Sequence, residues 1–251
     1  MENKLIGETI AQEERASVLK EYFSHYLMNI RGLTASSVKH YIDALNNISK
    51  RLVEIGVVKT DIYEILDLDR LFAVRELLFS DADFKELNTR GNHMYSAGLN
   101  NYFRFVEGTD FQSMGKEVKK MDIPVKAKVS NKMEVLVHKR SNILRTHTLV
   151  FANYQCELDN SHESFVTEKT HKPYMEAHHA IPMKWQAQFD YSLDVYANMI
   201  SLCPICHRKI HYGLKNERLK MLHQIYTERE ERLMNSGIVL SREEFTELVI
   251  K

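Results

Sequence analysis

Two stretches between Tyr174 and Gly213 carry most of the side chains able to do chemistry. One reads YMEAHHAIP, with His178 and His179 adjacent. The other reads NMISLCPICHRKIHYG, with Asn198, Cys203, Cys206, His207 and His211. Of the 3 cysteines in the chain, Cys203 and Cys206 form a C-x-x-C, a spacing that lets two thiolates reach one zinc ion from a single tight turn. His207 and His211 are four apart, so on a helix they share a face and can hold a second metal between them. Successive residues of a strand point to opposite faces. In a strand over 174–181, Glu176 and His178 therefore share one side, and His179 takes the other. A histidine titrating near neutrality suits a general base. A divalent cation beside it acts as a Lewis acid on a developing negative charge.

The elements that must position these groups follow from local patterning. Pro182 stops the strand, and 183–197 is a connecting segment containing Trp185. The helix bearing His207 and His211 ends near Gly213. Upstream, Ser141 caps a helix to about Ala152, after which Cys156 opens a knuckle. Downstream, Leu214 to Met234 carries Leu219, Leu222, Ile225, Tyr226 and Leu233 on one helical stripe. Arg229 and Arg232 of that helix could contact DNA, against the ordinary reading of solvated charges. Ser241-x-x-Glu244 is a capping box before a last short helix.

The N-terminal part reads as four helices. Over 11–30, Val18, Leu19, Tyr22, Phe23, Tyr26, Leu27 and Ile30 share a stripe, and Gly32 follows. Thr34 caps a second helix over 35–55, ended by Gly56. A third lies near 68–80 and a fourth over 90–106. Lys39, His40, Lys50 and Arg51 of the second could face phosphates. Between the two parts, 107–140 reads as a linker with a brief strand at 133–137. Lys116 to Arg145 holds nine Lys/Arg against three Asp/Glu, a local balance that fits a phosphate backbone.

Composition sets the outer bounds. The 251 residues suffice for two modest domains, the apolar share of 44% is ordinary for a globular protein, and 4 Pro with 9 Gly favour helix. The net charge of +0 supplies no global attraction to nucleic acid, so any such surface is a local patch. The N-terminus has no apolar leader, no apolar run is long enough to span a bilayer, and the cysteine usage fits a reduced compartment. The expected location is cytoplasmic.

The paired histidines, Asn198 and Cys203-x-x-Cys206-His207-x-x-x-His211 resemble the zinc-bearing branch of the HNH endonuclease family. The likeness covers about 140–215. It implies a ββα-metal nuclease domain, which with the C-terminal helices takes 141–251; together with the N-terminal helical bundle read over 1–110 and the basic linker over 111–140, the chain is expected to be mainly α with a small α+β part. The likeness also implies that His178, His207 and His211 hold a catalytic divalent ion (Mg²⁺, with Mn²⁺, Ni²⁺ or Zn²⁺ as alternatives), that His179 takes the proton from water, and that Asn198 ties down the loop. Cys203, Cys206 and Cys156 would hold a structural Zn²⁺. Relatives supply a second C-x-x-C upstream, but position 159 is Asp here. His162 is the leading fourth ligand, with His171 and Asp159 as rivals. Glu176 is a candidate partner for a ligand, and Lys184, Arg208 and Lys209 are candidate DNA contacts.

The N-terminal helices, GLTASSVKHYIDALNNISKRL in particular, resemble the core-binding domain of tyrosine recombinases, which implies a grip on duplex DNA. The implied activity is a metal-dependent DNA endonuclease of restriction or phage defence. A mobile-element or homing nuclease would use the same chemistry, and RNA is a further substrate class. The alternative of another kind is a non-catalytic, zinc-stabilised DNA-binding protein. One such site cuts one strand, so a double-strand cut requires a homodimer or two binding events.

Overall fold

The computed structural model describes residues 18–65, 67–111, 119–127 and 142–250. The expected strand at 133–137 and the Ser141 cap lie outside them, as does the start of the first helix. The described residues form two compact units, one holding the residues to Asp110 together with 142 and 143, the other built from 111, 119–127 and 144–250.

The first unit is helical: α1 (18–29), α2 (Ala35–Glu54), α3 (Leu68–Ser80), α4 (Ala82–Arg90) and α5 (Met94–Glu107). The apolar stripe of α1 is buried from Val18 to Leu27, each such side chain contributing about 1.5–3 kcal/mol. Phe23 packs edge-on to Tyr102 at 5.2 Å, and Tyr102 packs edge-on to Tyr63 at the same distance. Helices α2 and α5 approach closely at Gly98, where a Cβ would sit 3.3 Å from both the Ala44 Cβ and the Tyr41 carbonyl. Thr34 caps α2 by accepting from the Ser37 N–H at 3.3 Å.

Helix α4 escaped the sequence reading. Only Phe84 and Asn88 of it are buried, which leaves no apolar period to detect. Asp81 separates it from α3 by adopting extended backbone and accepting from the Phe84 N–H at 2.7 Å. The helix expected over 90–106 begins only at Met94, because Asn92 and His93 take left-handed φ of 50° and 61°. Arg51, a candidate phosphate contact, is instead paired with Asp81 at 2.6 Å.

The second unit holds α6 (Asn142–Phe151) from Leu144 onward, a hairpin-like pair of strands β1 (Glu176–His179) and β2 (Met199–Leu202), then α7 (Pro204–Tyr212), α8 (Lys215–Asn235) and α9 (Arg242–Ile250). The strands are antiparallel, with His178 opposite Ile200 and His179 opposite Met199. Helix α7 packs on both strands, α8 on α7, and α9 on α8. The described residues are therefore mainly α with one small two-stranded sheet. Residues 119–127 of the segment read as a linker lie against 190–192: the Ser192 N–H donates to the Val125 carbonyl at 2.7 Å, and the Ala127 N–H to Asp190 at 3.0 Å.

The arginines of α8 are not solvated. Arg232 makes a two-pronged pair with Asp122 at 2.7 and 2.9 Å. Arg229, 3% exposed, donates to the Tyr196 and Ala197 carbonyls at 3.3 and 3.2 Å and pairs with Glu157. Charge alone cannot reveal this, because a helix of 21 residues with so many charged positions looks solvated on every side. The Ser241–Glu244 capping box forms as expected, with bonds of 2.7 and 3.2 Å.

Candidate functional site

The first metal cluster is assembled by α7 and the knuckle before it. Cys203 is the N-cap of α7 and Pro204 follows at N1, where its missing N–H costs nothing. The Cys203 sulfur accepts from the Cys206 N–H at 3.4 Å, which turns both thiols to one side. After α6, Asn153 and Tyr154 adopt left-handed φ of 49° and 54°, reversing the chain toward Cys156. The Glu157 N–H donates to the Ser201 carbonyl at 2.9 Å, and the Ser201 hydroxyl to the Gln155 carbonyl at 2.8 Å, which fastens the knuckle to β2.

Cys156, His162, Cys203 and Cys206 offer ligand atoms all within 4.8 Å of one another. His162 Nδ1 lies 3.4 Å from Cys206 Sγ and 3.8 Å from Cys203 Sγ. A tetrahedral zinc with ordinary Zn–S and Zn–N bonds sets that separation at roughly 3.6 Å, so the donor set fits the ion. Of the two rivals, Asp159 accepts from Ser161 at 2.6 and 2.9 Å and sits 3.6 Å from His162 Nε2, beside the set. His171 is likewise not among the converging ligands. Burial pushes the Cys206 thiol well up, and the adjacent Cys156 and Cys203 add to this. Burial opposes a thiolate at Cys156 too, but hydrogen bonding from the Cys203 backbone and His162 holds it below the ordinary thiol value. Crowded thiols of this kind need a cation before all can ionise.

The second cluster joins strand to helix. His178 from β1 meets His207 and His211 from α7, with ligand atoms again within 4.8 Å of one another. The ring centroids are 4.9 to 5.0 Å apart and the planes 68° to 79° to one another, a three-bladed arrangement. Three imidazoles of this kind bind a divalent ion and leave coordination positions open to other ligands. His207 Nδ1 is hydrogen-bonded to Glu176 Oε2, which directs its Nε2 to the cluster. Tyr174 donates to the other carboxylate oxygen at 2.9 Å. Burial alone would raise the Glu176 carboxyl, but the bonds from Tyr174 and His207 outweigh it and hold it below the usual range.

His179 has a different partner. Its Nε2 lies 2.9 Å from Asp194 Oδ1, and both side chains are nearly covered. Asn198, fully buried, makes three hydrogen bonds. Its Oδ1 accepts from the Ile181 N–H at 2.7 Å, and its Nδ2 donates to the Ile181 and Leu193 carbonyls at 2.9 and 2.8 Å. One amide thus closes the loop from Ile181 to Leu193. Of the candidate DNA contacts, Lys184 and Arg208 are exposed, Lys184 lying 4.8 Å over the Trp185 ring, while Lys209 pairs with Glu217 at 3.1 Å. Asp194 and Tyr174 were not candidates from sequence, and Arg229 was weighed only as a DNA contact or a solvated charge, whereas it is buried against Tyr196, Ala197 and Glu157. Only Tyr174, two residues from Glu176 in a strand pattern, offered a signal.

Residues 161–213 match the family model for HNH endonuclease. The chain carries an HNH domain. The matched stretch holds His162, the paired histidines, Asn198, both cysteines of the C-x-x-C, His207 and His211, and leaves Cys156 just outside. No curated protein and no solved structure matches the chain. HNH domains are nuclease domains that bind metal, and the architecture around this one, two antiparallel strands followed by α7, is the strand–strand–helix unit the family is expected to have. No helix among the described residues is long and apolar enough to cross a membrane.

Proposed function

We infer that the protein is a metal-dependent DNA endonuclease. The observation that carries this reading is the convergence of His178 with His207 and His211, which belong to different elements. The three imidazoles would hold the divalent ion, which supplies Lewis-acid stabilisation of charge at phosphorus and the departing oxygen. His179 removes a proton from the water that attacks phosphorus. The new P–O bond forms as the bond to the 3′ oxygen breaks, and that oxygen takes a proton from solvent, giving 5′-phosphate and 3′-hydroxyl ends. Asn198 keeps His179 in register by holding Ile181, and Arg208 and Lys184 meet phosphate oxygens. The Cys156, His162, Cys203 and Cys206 set holds a structural zinc that anchors the start of α7.

Restriction or phage defence is the setting we propose, with a mobile-element nuclease as the alternative. Lys39, His40 and Lys50 remain exposed on α2 and are the part of the first unit that supports a DNA-recognition role. Cleavage of methylated and unmethylated plasmid with Mg²⁺, Mn²⁺, Ni²⁺ or Zn²⁺ tests the reading, alongside single strands and RNA. Nicking or linearisation that needs an added cation and disappears in His178→Ala and His179→Ala is the expected result. A folded, zinc-loaded protein that binds DNA but cuts none of these substrates with any ion would refute it in favour of a binding protein.

A further inference from the structure

We propose that Asp194 is a positioning residue for His179, fixing the imidazole in the tautomer that carries its proton on Nε2 and its lone pair on Nδ1. This rests on His179 being the base. The carboxylate Oδ1 lies 2.9 Å from Nε2, and the two side chains are only 10% and 6% exposed. At that distance and burial a carboxylate, which can only accept, requires N–H at the facing nitrogen. The proton leaving water therefore goes to Nδ1. Once it has arrived, the ring is a cation with a carboxylate already beside it, and no group has to move to meet the new charge.

The surrounding backbone is built to hold this pair. The Leu193 N–H donates to Gln186 Oε1 at 2.7 Å, and the Leu193 carbonyl accepts from Asn198 at 2.8 Å, so the residue before Asp194 is gripped at both ends. The Asp194 N–H donates to the Ser192 hydroxyl at 3.1 Å. Just past the end of β1 the same Asn198 side chain holds both backbone groups of Ile181, two residues beyond His179. One buried amide thus clamps the segment bearing the imidazole to the segment bearing the carboxylate. Arg229 supports the clamp from α8 through the Tyr196 and Ala197 carbonyls, just ahead of Asn198. The metal cluster takes no part in the pair: His178 faces the opposite side of β1.

The test uses the full chain, with Asp194→Ala and Asp194→Leu. The second is close to aspartate in shape, so it leaves no cavity, but it accepts no hydrogen bond. Long-range ¹H–¹⁵N spectra of the histidine rings report the tautomer directly. In the wild-type chain His179 should carry its proton on Nε2; the opposite tautomer overturns the assignment without recourse to any variant. In either variant the fixed tautomer should give way to a mixture, and kcat for plasmid nicking should fall by about 10²-fold or more, the scale of a lost general base. KM for DNA and the affinity of the three-histidine cluster for Mn²⁺ should stay within about twofold. Asp194→Asn, which keeps an acceptor, should retain more of both signals than Asp194→Leu. A folded Asp194→Leu protein with wild-type kcat, beside an inactive His179→Ala, refutes the role of Asp194 alone. A His179→Ala protein that cuts normally refutes the base and this assignment with it.

Discussion

Replacing Asn198 by Ala should be among the most damaging single changes in the second unit. The side chain is fully buried and serves three backbone groups: the Ile181 N–H, the Ile181 carbonyl and the Leu193 carbonyl. Each buried backbone group left without a partner costs about 1–3 kcal/mol, so three cost roughly 3–9 kcal/mol. Water entering the space of the lost carboxamide would recover part of this, which places the expected loss at roughly 3–6 kcal/mol. The chain's single tryptophan is a local reporter, because Trp185 lies within the same loop and donates its indole N–H to the Leu248 carbonyl at 2.7 Å. Urea unfolding followed by its fluorescence, with zinc held constant, should shift to a midpoint lower by about 1.5–3 M, taking a slope near 2 kcal/mol per M. Asn198→Asp should be at least as harmful, since a carboxylate still accepts from Ile181 but faces two carbonyl oxygens with nothing to donate. A shift below about 0.3 M for Asn198→Ala would mean that these backbone groups find other partners, and the clamp argument would fail.

Three further outcomes follow from the same geometry. Cys203→Ser or Cys206→Ser should abolish the bound zinc measured by mass spectrometry and lower the melting temperature, with His162→Ala the mildest loss because its side chain is 41% exposed. Arg232→Ala should cost about 3–5 kcal/mol by leaving the Asp122 carboxylate buried and unpaired, whereas the paired change Arg232→Met with Asp122→Leu should be close to neutral in thermal melts. The first unit should lose stability on acidification. Burial opposes ionisation of Asp110 and Glu64, yet Arg104 and Tyr26 hold the former, and Thr60 with the backbone N–H groups of 59–61 the latter, below the usual carboxylate range. Stability from a depressed carboxyl is complete above its unfolded value and is lost as pH falls through its folded value, so near-UV circular dichroism should report melting below about pH 4. Asp110→Asn should flatten that pH dependence.

The pattern of what could be read in advance is physical. Spacing within one element dictates that element's geometry, which is why the C-x-x-C turn, the His207–His211 face, the Thr34 cap and the Ser241 capping box were legible residue by residue. Helix α4 was not, because burying two side chains in nine leaves no period to read. The second unit's ion pairs were not legible either: the pull on Arg229 and Arg232 comes from Glu157 and Asp122, each more than seventy residues away.

The amino-acid order alone thus determined which residues had the chemistry and which neighbours would share a turn or a face. Only the tertiary structure decided which nitrogen meets which oxygen. It set His162 rather than His171 beside the thiols, brought His178 to the two histidines of α7, and paired His179 with an aspartate from an irregular loop. Periodicity extends no further than a single helix or strand, whereas these encounters depend on how separate segments bury their surfaces against one another and on where a buried amide such as Asn198 finds its three partners.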